Sequence, residues 1–170
     1  QLATVSKEGH AKVRTVVFRG WSDLDLSSSE AFKFITDLRS EKMSHGNIVE
    51  VCWYLTETRE QFRIAGNLMY ITKDAKEEKF VNERISTWKT VSEASQRSYF
   101  SPAPGQIVDQ TPLVEPAAGA LGNQSFPPDS FVVGLVDPFK IDYLHLRSPQ
   151  VRKIWTKKEQ GEWEGQNVNP

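Results

Sequence analysis

The sequence holds one cysteine and three histidines in 170 residues, and no long uncharged apolar run. Each shortage removes a class of protein. A lone Cys52 cannot close an internal disulfide, and its place in the apolar run "IVEVCWYL" predicts a buried thiol in a reducing compartment. No stretch approaches the roughly 18 apolar residues of a membrane-spanning helix, and the first residues show no basic segment followed by an apolar one. A soluble, cytoplasmic protein without a membrane partner is therefore expected. Excess charge is missing as well: Lys plus Arg total 21 and Asp plus Glu 22, a net charge of −1. Nothing global draws the chain to nucleic acid, so any anion site must be local. His10, His45 and His145 lie far apart without metal-ligand spacing and Cys52 has no CxxC partner, so no metal is expected and the histidines read as surface or turn residues.

What is present is rich in strand signals. "LATVSKEGHAKVRTVVFRG" predicts a hairpin of Leu2–Val5 and Lys12–Arg19 around a turn at Glu8-Gly9. In "SSSEAFKFITDLRSEK" a capping box, Ser27-x-x-Glu30, competes with the period-two alternation of Phe32, Phe34 and Thr36. The alternation is taken to decide for a strand over Phe32–Thr36. "SEKMSHGN" predicts a short helix between Ser40 as N-cap and Gly46 as stop, followed by strands over about Val49–Leu55 and Gln61–Ile71. Lys, Glu and Ala then dominate, with Phe80, Ile85 and Trp88 at helical spacing, which predicts two helices ending at Pro102 and Pro104. The stretch 102–128 carries six of the nine prolines and reads as a surface loop. "FVVGLVDP", "KIDYLHL" and "VRKIWTK" are three further strands, with a turn at Gln160-Gly161. Many short strands with a helical insertion argue for one domain over residues 1–170, mainly β (α+β), a barrel with helices packed on one side.

The chemistry concentrates in two places. On a strand Arg14, Val16 and Phe18 share one face while Thr15, Val17 and Arg19 share the other, so the arginines bounding "RTVVFRG" point apart. Taken alone they are rim charges. "LRSEK" adds Arg39, Ser40 and Lys42 at a strand-to-helix junction, where backbone N–H groups, a hydroxyl and an ammonium suit a phosphate. Trp53, Tyr54, Phe62 and Tyr143 are candidates for an aromatic wall beside it, although core packing is the commoner use of such residues.

The series "RTVVFRG", "FITDLRSEK", "EQFRIAG" and the closing "EW…VNP" resembles the flavin-binding split-barrel proteins related to pyridoxamine 5′-phosphate oxidase, most of all their Alr4036-type branch, over nearly the whole chain. The resemblance implies a six-stranded antiparallel split barrel with flanking helices. It also implies a homodimer holding FMN at its interface and a small-molecule substrate. Position by position it implies cofactor contacts from Arg14, Thr15, Val16, Val17 and Arg19, with Arg14 on the phosphate and Arg19 where the family has lysine. Thr36, Ser40 and Lys42 match further cofactor positions; Glu41 stands where an arginine is usual, and Arg39 is the candidate to supply that charge. Gln61 is implied to reach the flavin from the other subunit, and Arg152 resembles the last cofactor-facing arginine.

Two departures bear on activity. The family's substrate-phosphate clamp matches "YFSPAPG", which keeps Tyr99 and Ser101 but no arginine, and "SPQVRKI", which lacks a histidine and its preceding arginine. The expectation is an FMN-dependent oxidoreductase whose substrate is not set by these motifs, with a flavin-binding protein without turnover as the alternative.

Overall fold

The computed structural model describes residues 1–24, 30–107 and 126–170. Eight strands are found among them: β1 (Leu2–Val5), β2 (Ala11–Arg14), β3 (Phe32–Asp37), β4 (Ile48–Leu55), β5 (Glu60–Ile71), β6 (Phe131–His145), β7 (Val151–Lys157) and β8 (Trp163–Val168). Two helices, α1 (Glu78–Thr90) and α2 (Glu93–Arg97), separate β5 from β6. All pairings are antiparallel, in the order β2-β1-β4-β5-β6-β7-β8, with β3 on the other side of β6. The ring closes where the chain leaving β2 returns to β3: Arg19 N donates to Lys33 O, Lys33 N to Gly20 O and Ser22 N to Ala31 O. β1 to β6 thus form the barrel, and β7 with β8 extends its wall.

Two of the hairpin turns, β1–β2 and β7–β8, lie where glycine permits a left-handed backbone, Gly9 at φ 83° and Gly161 at φ 88°. The second strand is shorter than expected, because Thr15–Phe18 leave the ladder before the chain rejoins at Arg19. "FVVGLVDP" and "KIDYLHL" are one 15-residue strand, β6, despite Pro138. Pro138 has no N–H to offer, and it sits opposite a register shift between Ala65 and Gly66 where the regular ladder is interrupted. Gly66 is required there, since a Cβ would lie 2.7 Å from Asp137 O.

Alternation sorts side chains into two cores. Leu2, Phe32, Phe34, Val49, Val51, Ile64, Leu68 and Val136 fill the barrel. On the outer side, Phe131, Val133, Leu135 and Ile71 pack against Trp88, Val91 and Tyr99 of the helical layer. The first half of β6 is covered on both sides, which is why "FVVGLV" reads as an unbroken apolar run rather than an alternating one. Lys33 Nζ to Glu83 Oε1, at 2.8 Å, ties β3 to α1. The candidate capping residue Ser27 and positions 108–125 of the proline-rich loop lie outside the described residues. Cys52 is half-buried rather than buried, because it occupies the outer face of β4. No helix among the described residues is long and apolar enough to cross a membrane.

Candidate functional site

One end of the barrel is cationic. Arg14, the last residue of β2, stands in register with Leu2. One of its terminal nitrogens donates to Leu2 O at 3.1 Å, Thr4 Oγ1 at 2.6 Å and Lys12 O at 3.1 Å. Among the described residues nothing partners Nε or the other terminal nitrogen. Lys42 lies on the short 3-10 helix Glu41–Ser44 that follows β3. Its Nζ donates to Thr36 Oγ1 at 2.8 Å and to Ser40 Oγ at 2.5 Å. The backbone brings these groups together because β3 ends at Asp37 and the chain folds straight back, so that Lys42 overhangs Thr36.

Arg14 and Lys42 sense one another. Burial pushes the Lys42 ammonium below its usual range, the Arg14 charge pushes it further, and Asp37 counteracts only in part. Tyr70 donates to Lys42 O at 3.3 Å, and burial raises its phenol to about 12, so it remains a neutral wall. Two neighbouring cations with spare donors, framed by threonine and serine hydroxyls, have the donor chemistry that suits a compact polyanion. The expected contribution from helix N-terminal N–H groups is absent: the helix is a single 3-10 turn, and the Ser40 hydroxyl receives Lys42 instead of capping it.

The other expected residues divide. Thr15 Oγ1 accepts from Gln1 Nε2 at 2.9 Å, Val16 packs on the barrel core, and Val17 is exposed. Between Arg14 and Arg19 the segment runs from the cationic end to an aromatic end, where Phe18 packs on Trp53 at 5.0 Å and on Trp21 at 5.6 Å between ring centroids. Arg19 has a buried Nε without a partner. Arg39 does not join Lys42. Its guanidinium forks onto Asp37 at 2.7 and 2.9 Å and reaches the carbonyls of Tyr99 and Ser101. The role foreseen for it as a replacement phosphate cation gives way to a clamp between β3 and the chain after α2.

Gln61 and Arg152 are placed elsewhere again. Both stand in register with Leu144 of β6, from the two strands that flank it, and on the outer face. Arg152 donates from Nε and a terminal nitrogen to Asp142 at 3.0 and 2.8 Å, and Arg63 binds the same carboxylate. The bonds from Arg152, aided by Arg63, hold Asp142 below the usual carboxylate range against its burial.

Of the aromatic candidates, Trp53 and Phe62 line a cavity of ≈ 610 Å³ with Trp21, Trp155 and Trp163. Tyr54 is exposed, and Tyr143 is bound to Glu60 at 2.7 Å. Trp155 crosses β8 at Gly165, where a Cβ would lie 2.7 Å from the indole. Sequence reasoning missed Thr4, Tyr70 and His45. The His45 side chain is 1 % exposed, not a surface residue, and bonds Thr4 Oγ1 at 2.8 Å. Only the alternation of Thr4 with Leu2 on β1 could have placed Thr4 inside.

The chain that carries this site is similar to known proteins. The family described as pyridoxamine 5′-phosphate oxidase, FMN-binding domain, matches residues 1–72, which include Arg14, Thr36 and Lys42. Pyridoxine/pyridoxamine 5′-phosphate oxidase 2 of Arabidopsis thaliana is 32% identical over 182 aligned positions, spanning 100% of this chain and 86% of the relative. The chain belongs to the pyridoxamine 5′-phosphate oxidase-related, FMN-binding family. A crystal structure of a pyridoxamine 5′-phosphate oxidase-related, FMN-binding protein from Nostoc punctiforme is 34% identical and superposes with a TM-score of 0.86, covering 99% of this chain and 86% of that one. PhzG from Burkholderia lata, solved with tetrahydrophenazine-1-carboxylic acid, is 20% identical with a TM-score of 0.72 over 99% of this chain and 80% of its own, and shares the fold. The relatives single out the family and its split barrel without singling out a branch. FMN is the cofactor of this family, and the donor set fits its tail: two cations that repel one another are what a phosphate dianion would reconcile.

Proposed function

We propose that the protein is an FMN-binding oxidoreductase of this family, a homodimer acting on a small molecule, in the cytoplasm. The observation that carries the reading is the convergence of Arg14 and Lys42, from two separate elements, on one barrel end. Arg14 would take phosphate oxygens with its unpartnered nitrogens, and Lys42 with its third proton. Thr15–Phe18 make no ladder bonds among the described residues, so their backbone groups are free to meet the edge of a flat ring. When bound, FMN would accept a hydride, which is why no acid–base pair or triad is needed from the chain. The protein's part is to bind the phosphate, orient the ring and keep water from its buried side.

The placement of the expected residues supports the dimer. Gln61 and Arg152 share the outer face of the sheet, whereas Arg14 and Lys42 crown its inner side, and a flavin shared between two chains would let both sets contribute. Val13 and Ile48, exposed on the outer side of β2 and β4, continue that face.

One observation favours the second reading, a flavin-binding protein without turnover that stores or regulates. Tyr99 is packed between Trp88 and Phe131, 5.8 and 5.1 Å away between ring centroids, and burial, then Asp37, raises its phenol to about 12. A tyrosine so enclosed is poorly placed to grip a substrate phosphate. The test is to purify the protein, ask whether it is yellow and releases FMN on denaturation, and measure its mass in solution. Anaerobic reduction by candidate donors then separates an oxidoreductase from a flavin-binding protein without turnover. A colourless protein that FMN cannot reconstitute would refute both readings, and a monomeric holo-protein would refute the shared site.

A further inference from the structure

His45 lies at the end of the polar turn "EKMSH", yet its ring is enclosed: the side chain is 1 % exposed and Nε2 has no hydrogen-bond partner. The groups around it form a line. Nδ1 is 2.8 Å from Thr4 Oγ1, and Thr4 Oγ1 is 2.6 Å from the donating nitrogen of Arg14. On the far side Nε2 is 3.7 Å from Glu41 Oε1, which also lies 3.5 Å from Lys12 Nζ.

Donor and acceptor capacity sets the roles. Arg14 can only donate, so the Thr4 oxygen accepts from it and keeps one proton and a second lone pair. Nε2 faces the Glu41 carboxylate, which places a ring proton on that nitrogen and leaves Nδ1 to accept the Thr4 proton. Thr4 is only 2 % exposed. The Arg14 nitrogen has two protons for three acceptors, and the Thr4 contact is the shortest of them. Without an acceptor at Nδ1 the Thr4 hydroxyl would turn its proton elsewhere, and its lone pairs would no longer be held toward Arg14.

We infer that His45 and Thr4 are positioning residues that hold Arg14 aimed at the cofactor phosphate, with Glu41 facing the ring from behind. The inference rests on the reading of Arg14 as a phosphate ligand. It also gives a purpose to the chain's departure from the family pattern at position 41. A carboxylate there faces the Nε2 proton, whereas an arginine would bring a third cation beside Arg14 and Lys42. Among the described residues the other charges near this line are Glu8, whose carboxyl is lowered first by the Ser6 hydroxyl and to a smaller extent by His45, and Lys12, which reaches Glu41.

The experiment compares FMN with riboflavin, which lacks the phosphate, by fluorescence titration of the apo-protein. Thr4→Val and His45→Ala are expected to weaken FMN binding by roughly fivefold to tenfold, the worth of one well-aimed hydrogen bond, and to leave riboflavin binding unchanged. His45→Asn, which places an amide oxygen near the Nδ1 position, and Thr4→Ser, which keeps the hydroxyl, are expected to restore FMN affinity. Should His45→Ala fail to fold, the contrast between Thr4→Val and Thr4→Ser decides alone. FMN binding that does not change, or FMN and riboflavin weakening together, would overturn the inference while leaving the flavin reading intact. A wild-type protein that prefers riboflavin to FMN would overturn both.

Discussion

Replacing Lys42 by methionine separates binding from stability. Two of the three ammonium protons are committed to Thr36 and Ser40, at 2.8 and 2.5 Å, so one remains for a phosphate oxygen. Full attraction between unit charges about 4 Å apart is roughly 4 kcal/mol at an effective dielectric constant near 20. After desolvation a charge-assisted hydrogen bond retains about 1.5–3 kcal/mol, which predicts a rise in the FMN Kd of about tenfold to 150-fold in Lys42→Met. The apo-protein should respond oppositely. Lys42 sits below its ordinary pKa because of burial and then Arg14, so its charge is disfavoured in the folded state. A folded chain that binds fewer protons than the unfolded one gains stability as pH rises through that lowered value, and at neutral pH the methionine variant is spared the penalty. The melting temperature of apo Lys42→Met should be equal or higher. FMN affinity of the wild type should also fall as pH climbs through the lowered lysine range, whereas Lys42→Arg should stay flat. Unchanged FMN affinity, or a markedly lower apo melting temperature, would refute the reasoning.

Arg39→Met should leave FMN affinity unchanged and lower stability by about 1 kcal/mol at pH 7, because the Arg39 side chain is partly exposed. Burial alone would raise Asp37, but its bonds to Arg39 outweigh that and hold it below the usual value. The stability so gained is present above the unfolded carboxyl range near 3.9 and is lost as pH falls through the folded value. Urea unfolding at pH 7 and at stepped acid pH should therefore show the gap between wild type and variant closing below about pH 4. Gly134→Ala would drive a Cβ into the Phe34 ring. The expected cost is about 1–3 kcal/mol in urea unfolding, recovered in part by Phe34→Leu in the same chain.

Much of the barrel was legible because its strands carry period-two patterns or end at glycine turns. The strand expected over Phe32–Thr36 declared itself by alternation and is found as Phe32–Asp37, the β1–β2 hairpin declared itself by Gly9, and Gly161 marked the turn before β8 although β8 itself was not foreseen. The long β6 was not legible, since a proline in the middle of a run reads as an end unless the opposite bulge at Gly66 is known. At the site, Arg14 stands out as a cation bounding an apolar strand run and Lys42 as a cation on a short polar motif, and the fold brings them together. Arg39 looks equivalent in sequence, but a carboxylate two residues away captures it, and that outcome depends on the carbonyls of Tyr99 and Ser101 arriving from far along the chain. His45 and Thr4, 41 positions apart, could be joined only by the fold.

Strand β6 borders β3, β5 and β7, and its first half separates the barrel interior from the helical layer. A molecule organised around one shared plank has no seam along which to come apart. Slow amide exchange in the barrel and on α1 should therefore report a single opening event rather than a helical flap that lifts while the barrel stays shut.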